Sequence, residues 1–259
     1  MNKGRIIFLM LLMGQSLFAQ KQYQLAQPIG RFESVFFDKK TEISFVFEQP
    51  GSIIRYTSDG VEPTETSQRY RKPLSITKHL TIIKARSFAE GFAPSETITH
   101  QFFAKGHPIA TIITSATNPT YAGGGVFTLT DRQSGGTDHT NAAWLGFDSD
   151  SIVIDLSLKK PTEISQVLLH VLNNQGAWIF LPRKVEVYQV DGNKPIWLTS
   201  QSFEITRETG TEAKAMLINF QAIKAKELRI IVVPLASLPD WHAGKGKKAW
   251  FFVDEIKLY

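Results

Sequence analysis

Short runs of alternating apolar and polar residues, separated by glycine, proline, asparagine and aspartate, dominate the chain from Lys21 onward. Thr41, Ile43, Phe45 and Phe47 form one such run. No stretch longer than about a dozen residues keeps the periodicity of an amphipathic helix. A period of two indicates half-buried strands, and the frequent turn residues indicate that the strands are short. The sequence therefore predicts an all-β protein.

The composition limits the core and the chemistry. Hydrophobic residues make up 42% and charged residues 20% of the 259 residues, which is enough apolar material for a packed core. Cysteine is absent, which excludes disulfides, thiolate metal sites and cysteine nucleophiles. The net charge of +5 is too small to indicate nucleic-acid binding. Packing, or a metal with oxygen ligands, must hold the fold.

The N-terminal segment has the pattern of a secretory signal peptide. Lys3 and Arg5 precede an apolar run at residues 6–13, and small residues lead to Ala19. The run is far shorter than the roughly 20 residues that span a bilayer, and no later segment comes closer. We expect cleavage after Ala19 and export to the periplasm or cell surface of a bacterium, with no membrane span.

The best domain boundary is the segment AKGHP at residues 104–108, because glycine and proline break strand pairing and no apolar pattern crosses it. The chain then divides into a signal peptide (residues 1–19), a first β module (residues 20–104) and a second β domain (residues 108–259). The second domain has several short strands with long loops, which favours a sandwich or jelly roll.

The first module contains, in order, the segments IIRYTSDGVEPT, YRKPLSI and LTIIKARSFAEGFAPSE. They resemble the short immunoglobulin-like (Ig-like) module at the C-terminal side of bacterial chitobiase and β-hexosaminidase, also called a fibronectin-III-associated domain. The resemblance covers about residues 28–104 and implies an Ig-like β-sandwich. The sequence shows no concave cluster of polar and aromatic residues here, so we expect a spacer that positions its neighbour.

The second domain contains LTDRQSGGTDHTNAAWLGF, GAWIFLPRKVEVYQVDG and LPDWHAGKGKKAWFFVDEIKLY. These segments resemble the coagulation factor 5/8 type C, or discoidin-like, domain, in the version attached to bacterial family 20 β-N-acetylhexosaminidases. The resemblance implies an eight-stranded jelly roll of the galactose-binding type. This fold hosts binders of galactose, N-acetylglucosamine, lipid head groups and proteins, so the fold does not by itself fix the ligand.

Two loops of this domain have the residue types that bind sugars. One contains Trp241, His242 and Lys245, and the other contains Asn174 and Trp178. Sugars stack a ring face on an aromatic side chain while polar side chains bond the hydroxyl groups. The alternative is that both tryptophans are core plugs that close the end of the barrel, since tryptophan is highly buried on average.

The resemblance also implies a structural calcium ion. Discoidin-like domains often hold calcium in the loop before the tryptophan that corresponds to Trp144, helped by a C-terminal glutamate, and the matching residues are Asp131, Asp138 and Glu255. Calcium takes six to eight oxygen ligands, which an irregular glycine-rich loop can supply. This chain has Arg132 where the family commonly has glycine. The alternative is that these are solvated loop acids.

Family 20 hexosaminidases use an adjacent Asp-Glu pair, and this chain has one at Asp254 and Glu255. The run AWFFVDEIKLY reads as a strand, in which neighbouring side chains point to opposite faces and do not converge on one sugar. A hexosaminidase also needs a barrel of roughly 250 residues, which this chain cannot accommodate beside its other parts. We therefore expect no catalytic activity.

We predict a secreted, non-catalytic, carbohydrate-binding protein. Its Ig-like β-sandwich is followed by a galactose-binding-like β-sandwich jelly roll that binds terminal galactose or N-acetylhexosamine residues of glycans. A glycoside hydrolase or a surface glycan-utilisation complex is the expected protein partner. One alternative is an accessory region or homologue of a β-N-acetylhexosaminidase, and another is a cell-surface protein-adhesion module.

Overall fold

The computed structural model describes residues 23–192 and 194–259. The predicted signal peptide lies outside the described residues. The described chain forms two β-sandwiches with three short 3₁₀ helices, so the predicted fold class is confirmed. Within this part of the chain no helix has the length and apolar character needed to cross a bilayer.

The N-terminal sandwich has two sheets, with strand orders β1-β3-β6 and β2-β8-β7-β4-β5. Its core contains Ile43, Ile83 and Phe102, which are almost fully buried. The strands are β1 (Ile29–Arg31), β2 (Phe36–Phe37), β3 (Thr41–Val46), β4 (Ile53–Thr57), β5 (Gln68–Arg69), β6 (Leu74–Ile76), β7 (Thr81–Phe88) and β8 (Ile98–Ala104).

The second sandwich is one folded sheet with the order β10-β15-β11-β14-β12-β13, to which β9 adds by pairing with β11. The strands are β9 (Ile109–Thr114), β10 (Leu145–Phe147), β11 (Ile152–Asn174), β12 (Lys184–Asp191), β13 (Lys194–Ser202), β14 (Thr211–Val233) and β15 (Phe251–Leu258). The short 3₁₀ helices are Pro119–Tyr121, Gly125–Thr130 and Gln175–Ala177.

Strands β11 and β14 each run through both layers of this sandwich. Residues 152–157 of β11 pair with residues 227–232 of β14, and residues 166–174 pair with residues 211–219. Register shifts separate the two halves, and both halves contribute to one core. The resemblance implies eight strands in this domain. The described residues contain seven, two of which, β11 and β14, run through both layers without a break.

The two sandwiches meet in a packed contact, which we call the junction. Phe36 and Phe103 of the N-terminal module pack against Leu168 of β11, and all three are buried. Tyr259 donates a hydrogen bond from its hydroxyl to the Ala104 carbonyl oxygen at 2.6 Å. Apolar burial of this kind contributes on the order of 25 cal/mol per Å².

The segment between β8 and β9 is held against the end of β15. The backbone N–H of His107 donates to the Leu258 carbonyl oxygen at 2.8 Å. A β-carbon on Gly106 would lie 2.6 Å from that same oxygen, so this position requires glycine. The predicted boundary residues therefore form a fixed connection between the sandwiches.

Candidate functional site

Three loops meet at one end of the second sandwich, which we call the loop end. They are residues 175–183 after β11, residues 203–210 after β13 and residues 234–250 after β14. The Gln175 side chain joins two of them, donating to the Thr206 carbonyl oxygen at 2.9 Å and accepting from the Glu208 backbone N–H at 3.0 Å. The Gln175 amide thus fixes the position of a loop that has no regular structure of its own.

Asn174 and Trp178 enclose the short helix at the start of the first loop. The Asn174 side-chain oxygen accepts a hydrogen bond from the Ala177 backbone N–H at 3.2 Å, which caps the helix. Trp178 ends the helix in the left-handed conformation, with φ of 66°. The chain then reverses, and Asn174 and Ile179 exchange two backbone hydrogen bonds at 3.0 Å.

His242 ties the third loop to the first. Its Nε2 donates to the Gln175 carbonyl oxygen at 2.8 Å, and its Nδ1 accepts from the Gly244 backbone N–H at 2.9 Å. These two bonds require the neutral imidazole with the proton on Nε2. Because both ring nitrogens are used inside the protein, His242 positions the two loops.

Trp178 and Trp241 are 38% and 37% exposed, whereas Trp144 in the core is 1% exposed. Trp241 packs beside Phe180, with ring centroids 6.1 Å apart, and the Arg207 guanidinium carbon lies 6.0 Å from its ring centroid. Each of these two indoles is therefore partly packed and partly open to solvent.

Gly244 lies against the Trp178 indole, since a β-carbon there would sit 3.0 Å from two of the indole ring carbons. Lys245 belongs to the same loop as His242, and its ammonium pairs with Asp240 at 3.1 Å. Both side chains are largely exposed, so this pair adds little stability. The structure thus brings all five predicted sugar-site residues to the loop end.

The structure adds two residues that sequence reasoning missed, Phe180 and Arg207. Phe180 is 1% exposed and packs against both Trp241 and His242. Arg207 lies in the loop after β13, which has no alternating pattern and no motif. Only the fold brings that loop to the tryptophans, so no local signal could have identified Arg207.

Asp131 and Asp138 bond within their own turns. Asp131 Oδ1 accepts from the Gln133 backbone N–H at 2.7 Å, and Asp138 Oδ1 accepts from the backbone N–H and the hydroxyl of Thr140 at 2.9 and 2.7 Å. Burial raises the pKa of Asp131. The two bonds from Thr140 lower the pKa of Asp138.

Glu255 has a different neighbour, the ammonium of Lys257. Glu255 Oε1 accepts from Lys257 Nζ at 2.7 Å, Oε2 accepts from the Arg132 backbone N–H at 2.9 Å, and both side chains are buried. Burial raises the pKa of Glu255 to about 7. No three histidine or acidic side chains in the described ranges are grouped so as to hold a metal. As arranged, these residues do not fit a shared calcium ion, and calcium binding stays a prediction that requires Lys257 to move.

Arg132 occupies the glycine position of the resemblance and keeps the backbone conformation that favours glycine, with φ of 65°. Its guanidinium pairs with Asp38 of the N-terminal module at 2.6 Å. The arginine at this position thus connects the loop to the other sandwich.

The expectation that Asp254 and Glu255 face opposite sides of β15 is wrong. The pairing of β15 with β11 shifts register at this point, since Glu255 is opposite His170 and Val253 is opposite Val171. Such a bulge leaves Asp254 unpaired and turns its side chain. Both carboxylates consequently accept hydrogen bonds from one loop, Asp254 from the Gly135 N–H and Glu255 from the Arg132 N–H, each at 2.9 Å. Both are buried and engaged inside the protein.

The N-terminal module also has a concave surface, contrary to the expectation from sequence. A groove of about 940 Å³ is lined by residues that include Tyr56, Arg69, Arg71 and Leu80. It is framed by β5 and β6, which are two and three residues long. Strands this short have too few positions to show alternation, so the sequence did not indicate the groove.

A comparison with protein-family models supports the resemblance of the N-terminal module. The chitobiase/beta-hexosaminidase C-terminal domain matches residues 33–99. This match lies within the part of the N-terminal module for which the resemblance was stated, and it confirms that resemblance. It covers about a quarter of the chain. A search of curated protein sequences found no match.

Solved structures similar to part of the chain include CBM32 of AlyQ in complex with 4,5-unsaturated mannuronic acid, with 14% identity and a TM-score of 0.38 over 60% of this chain and 97% of that one. A pectin-binding carbohydrate-binding module has 14% identity and a TM-score of 0.34 over 59% and 91% of the two chains. Chitosan-binding module 1 from a chitosanase/glucanase of Paenibacillus sp. IK-5 has 14% identity and a TM-score of 0.36 over 57% and 93%.

Proposed function

We propose that this chain is a secreted, non-catalytic carbohydrate-binding protein that holds a terminal sugar of a glycan at the loop end. The observation that carries the proposal is the pair of indoles, each more than a third exposed, on two loops that His242 joins. Aromatic rings fixed on a rigid support can stack on a sugar with little loss of conformational entropy. Galactose and N-acetylhexosamine are the proposed ligands.

The polar groups around the indoles suit this role. Arg207 lies beside Trp241, and the exposed ammonium of Lys245 is on the same loop as Trp241. The amide nitrogen of Asn174 completes a set of hydrogen-bond donors for sugar hydroxyl groups. His242 holds the first and third loops together through its hydrogen bonds to Gln175 and Gly244. In this proposal the N-terminal module presents the jelly roll to a glycan or to a partner glycoside hydrolase.

Binding to a glycan array, followed by titration with the best glycan, tests the proposal. Trp178→Ala and Trp241→Ala should each lose roughly 1 to 3 kcal/mol of binding free energy, comparable to the burial of an aromatic side chain. Trp197→Ala is the matched control, because Trp197 is 61% exposed on the edge strand β13, away from the three loops. It should bind as the parent does.

Two results would contradict the proposal. One is full glycan binding in both variants of the loop-end tryptophans. The other is an array without any bound glycan, combined with capture of a purified surface protein that Trp197→Ala abolishes, which would favour the adhesion alternative.

A further inference from the structure

A second concave site lies where the two sandwiches meet. The junction cleft has a volume of about 680 Å³, within the range of small-molecule sites. One wall belongs to the N-terminal module and the other to the jelly roll. Its lining includes Phe32, Gln101, Gln133, Ser134, His170 and Lys214.

His170 is the buried polar residue of this cleft, with 4% of its surface exposed. Its Nδ1 lies 2.6 Å from the carboxylate of Asp254, which accepts the proton of that nitrogen. The ring is held between Phe36, at 5.0 Å in an edge contact, and Trp144, stacked at 6.1 Å. Within the described residues His170 Nε2 has no hydrogen-bond partner, so it is the nitrogen left to meet a ligand.

Asp254 is itself fixed, because its second oxygen accepts from the Gly135 backbone N–H at 2.9 Å. The chain of contacts from Gly135 through Asp254 to the imidazole has no role in the loop end described above. Burying an imidazole and the carboxylate that orients it removes their hydration, which is unfavourable for folding. Such buried polar groups are often found at binding sites.

The charges around the cleft favour a neutral ligand. Lys214 bonds Glu208 at 2.7 Å and lies 3.5 Å from Glu212, so its charge is already balanced. Glu33 adds a further negative charge to the wall. An anionic ligand would therefore meet net repulsion.

The remaining groups match the surface of a sugar. Gln101 and Gln133 supply amides on opposite walls, Ser134 supplies a hydroxyl, and Phe32 supplies an apolar ring face. Amides and hydroxyls can both donate and accept, as sugar hydroxyl groups require. We propose that the junction cleft is a second ligand site, formed by both sandwiches, which binds a neutral mono- or disaccharide with His170 at its floor.

The six histidines allow this site to be tested in the full chain separately from the loop end. We would label the protein with ¹⁵N-histidine and titrate galactose, N-acetylglucosamine, N,N′-diacetylchitobiose and glucuronate, with the ring signals assigned by single substitutions. A neutral sugar in the cleft should shift the signals of His170 and of His100, which also lines the cleft. Glucuronate should leave both signals in place.

The double variant Gln101→Ala with Gln133→Ala removes one amide from each wall. It should bind at least about tenfold more weakly at His170, since one hydrogen bond from each wall is lost. Gln201→Ala, on the exposed edge strand β13, is the matched control and should bind like the parent. Trp241→Ala should also keep the His170 shift, which separates this proposal from the loop-end site. Unchanged histidine signals without sugar show that the variants are folded.

The proposal is overturned if no neutral sugar in the panel moves the His170 signal. It is also overturned if the double variant keeps full affinity at His170, or if glucuronate binds there as well as the neutral sugars do.

Discussion

The loop end and the junction each contain a histidine fixed by hydrogen bonds, but different groups hold the two histidines. At the loop end, His242 is held by backbone groups and its neighbours Trp178 and Trp241 are more than a third exposed. At the junction, His170 is held by a buried carboxylate. The difference indicates that the half-exposed tryptophans of the loop end can be removed with little loss of stability, whereas the buried charged groups at the junction cannot.

The largest expected effect is at the junction, in the buried pair Lys257 and Glu255. Removing one partner leaves the other charge buried and unpaired, which costs about 3 to 5 kcal/mol. Lys257→Met should therefore lower the free energy of unfolding by that amount in a denaturant titration. Adding Glu255→Gln to Lys257→Met should recover most of the loss.

The control for this prediction is Lys184→Met, which breaks the more exposed pair with Glu186. That change should cost less than about 1 kcal/mol. Equal losses in Lys184→Met and Lys257→Met would remove the contrast between buried and exposed charges.

The next effect compares two tryptophans of the same domain. Trp144→Ala should cost about 3 to 5 kcal/mol of stability, because the indole is fully buried. Trp241→Ala should cost clearly less, because more than a third of its surface is already in water. Thermal or denaturant unfolding of the two variants measures the difference. A loss in Trp241→Ala as large as in Trp144→Ala would identify Trp241 as a core plug.

A smaller effect is expected at Arg132, whose backbone is left-handed. That conformation costs roughly 1 to 2 kcal/mol for a residue with a β-carbon and nothing comparable for glycine. Arg132→Gly and Arg132→Ala both lose the exposed pair with Asp38, so the pair cancels in their comparison. Arg132→Gly should unfold at higher denaturant than Arg132→Ala. The reverse order would show that φ at this position relaxes.

The smallest effect concerns pH. Burial lowers the pKa of His100 below the usual histidine value of about 6.5, so near that pH the unfolded chain binds more protons than the folded one. This histidine's contribution is complete at higher pH and is lost as the pH falls through the folded pKa. When the pH is lowered from about 7.5 to about 5.5, the free energy of unfolding of His100→Gln should therefore fall less than that of the parent. Parallel pH curves for the two proteins would contradict this assignment.

The alternation of apolar and polar residues was sufficient to predict the fold class and most of the strands. An Asp-Gly pair is typical of a turn, and in the structure Gly60 has φ of 83° and Asp59 Oδ1 accepts from the Val61 N–H at 3.1 Å. The sequence did not indicate that β11 and β14 are each one continuous strand. The polar residues between the two halves of each strand are typical of turns when the pairing partners are unknown.

For the candidate site, the sequence located both tryptophan loops but not the contacts between them. His242 was predicted to bind sugar hydroxyl groups, but in the structure its two ring nitrogens bond Gln175 and Gly244. The network of His170, Asp254 and Gly135 joins residues up to 119 positions apart, and no local spacing marks it. The bulge at Asp254 depends on the neighbouring strand and lies beyond sequence periodicity for the same reason.

Strand β11 links the two proposed sites along one piece of backbone. His170 lies at the floor of the junction cleft, and four residues later the strand ends at Asn174 beside the loop end. At a rise of about 3.3 Å per residue, the strand separates these positions by roughly 13 Å. Because β14 pairs with β11 over the whole stretch from His170 to Asn174, this backbone distance is fixed. If both proposed sites bind sugars, a branched or repeating glycan should gain avidity when the spacing of its sugars matches the fixed distance between the sites.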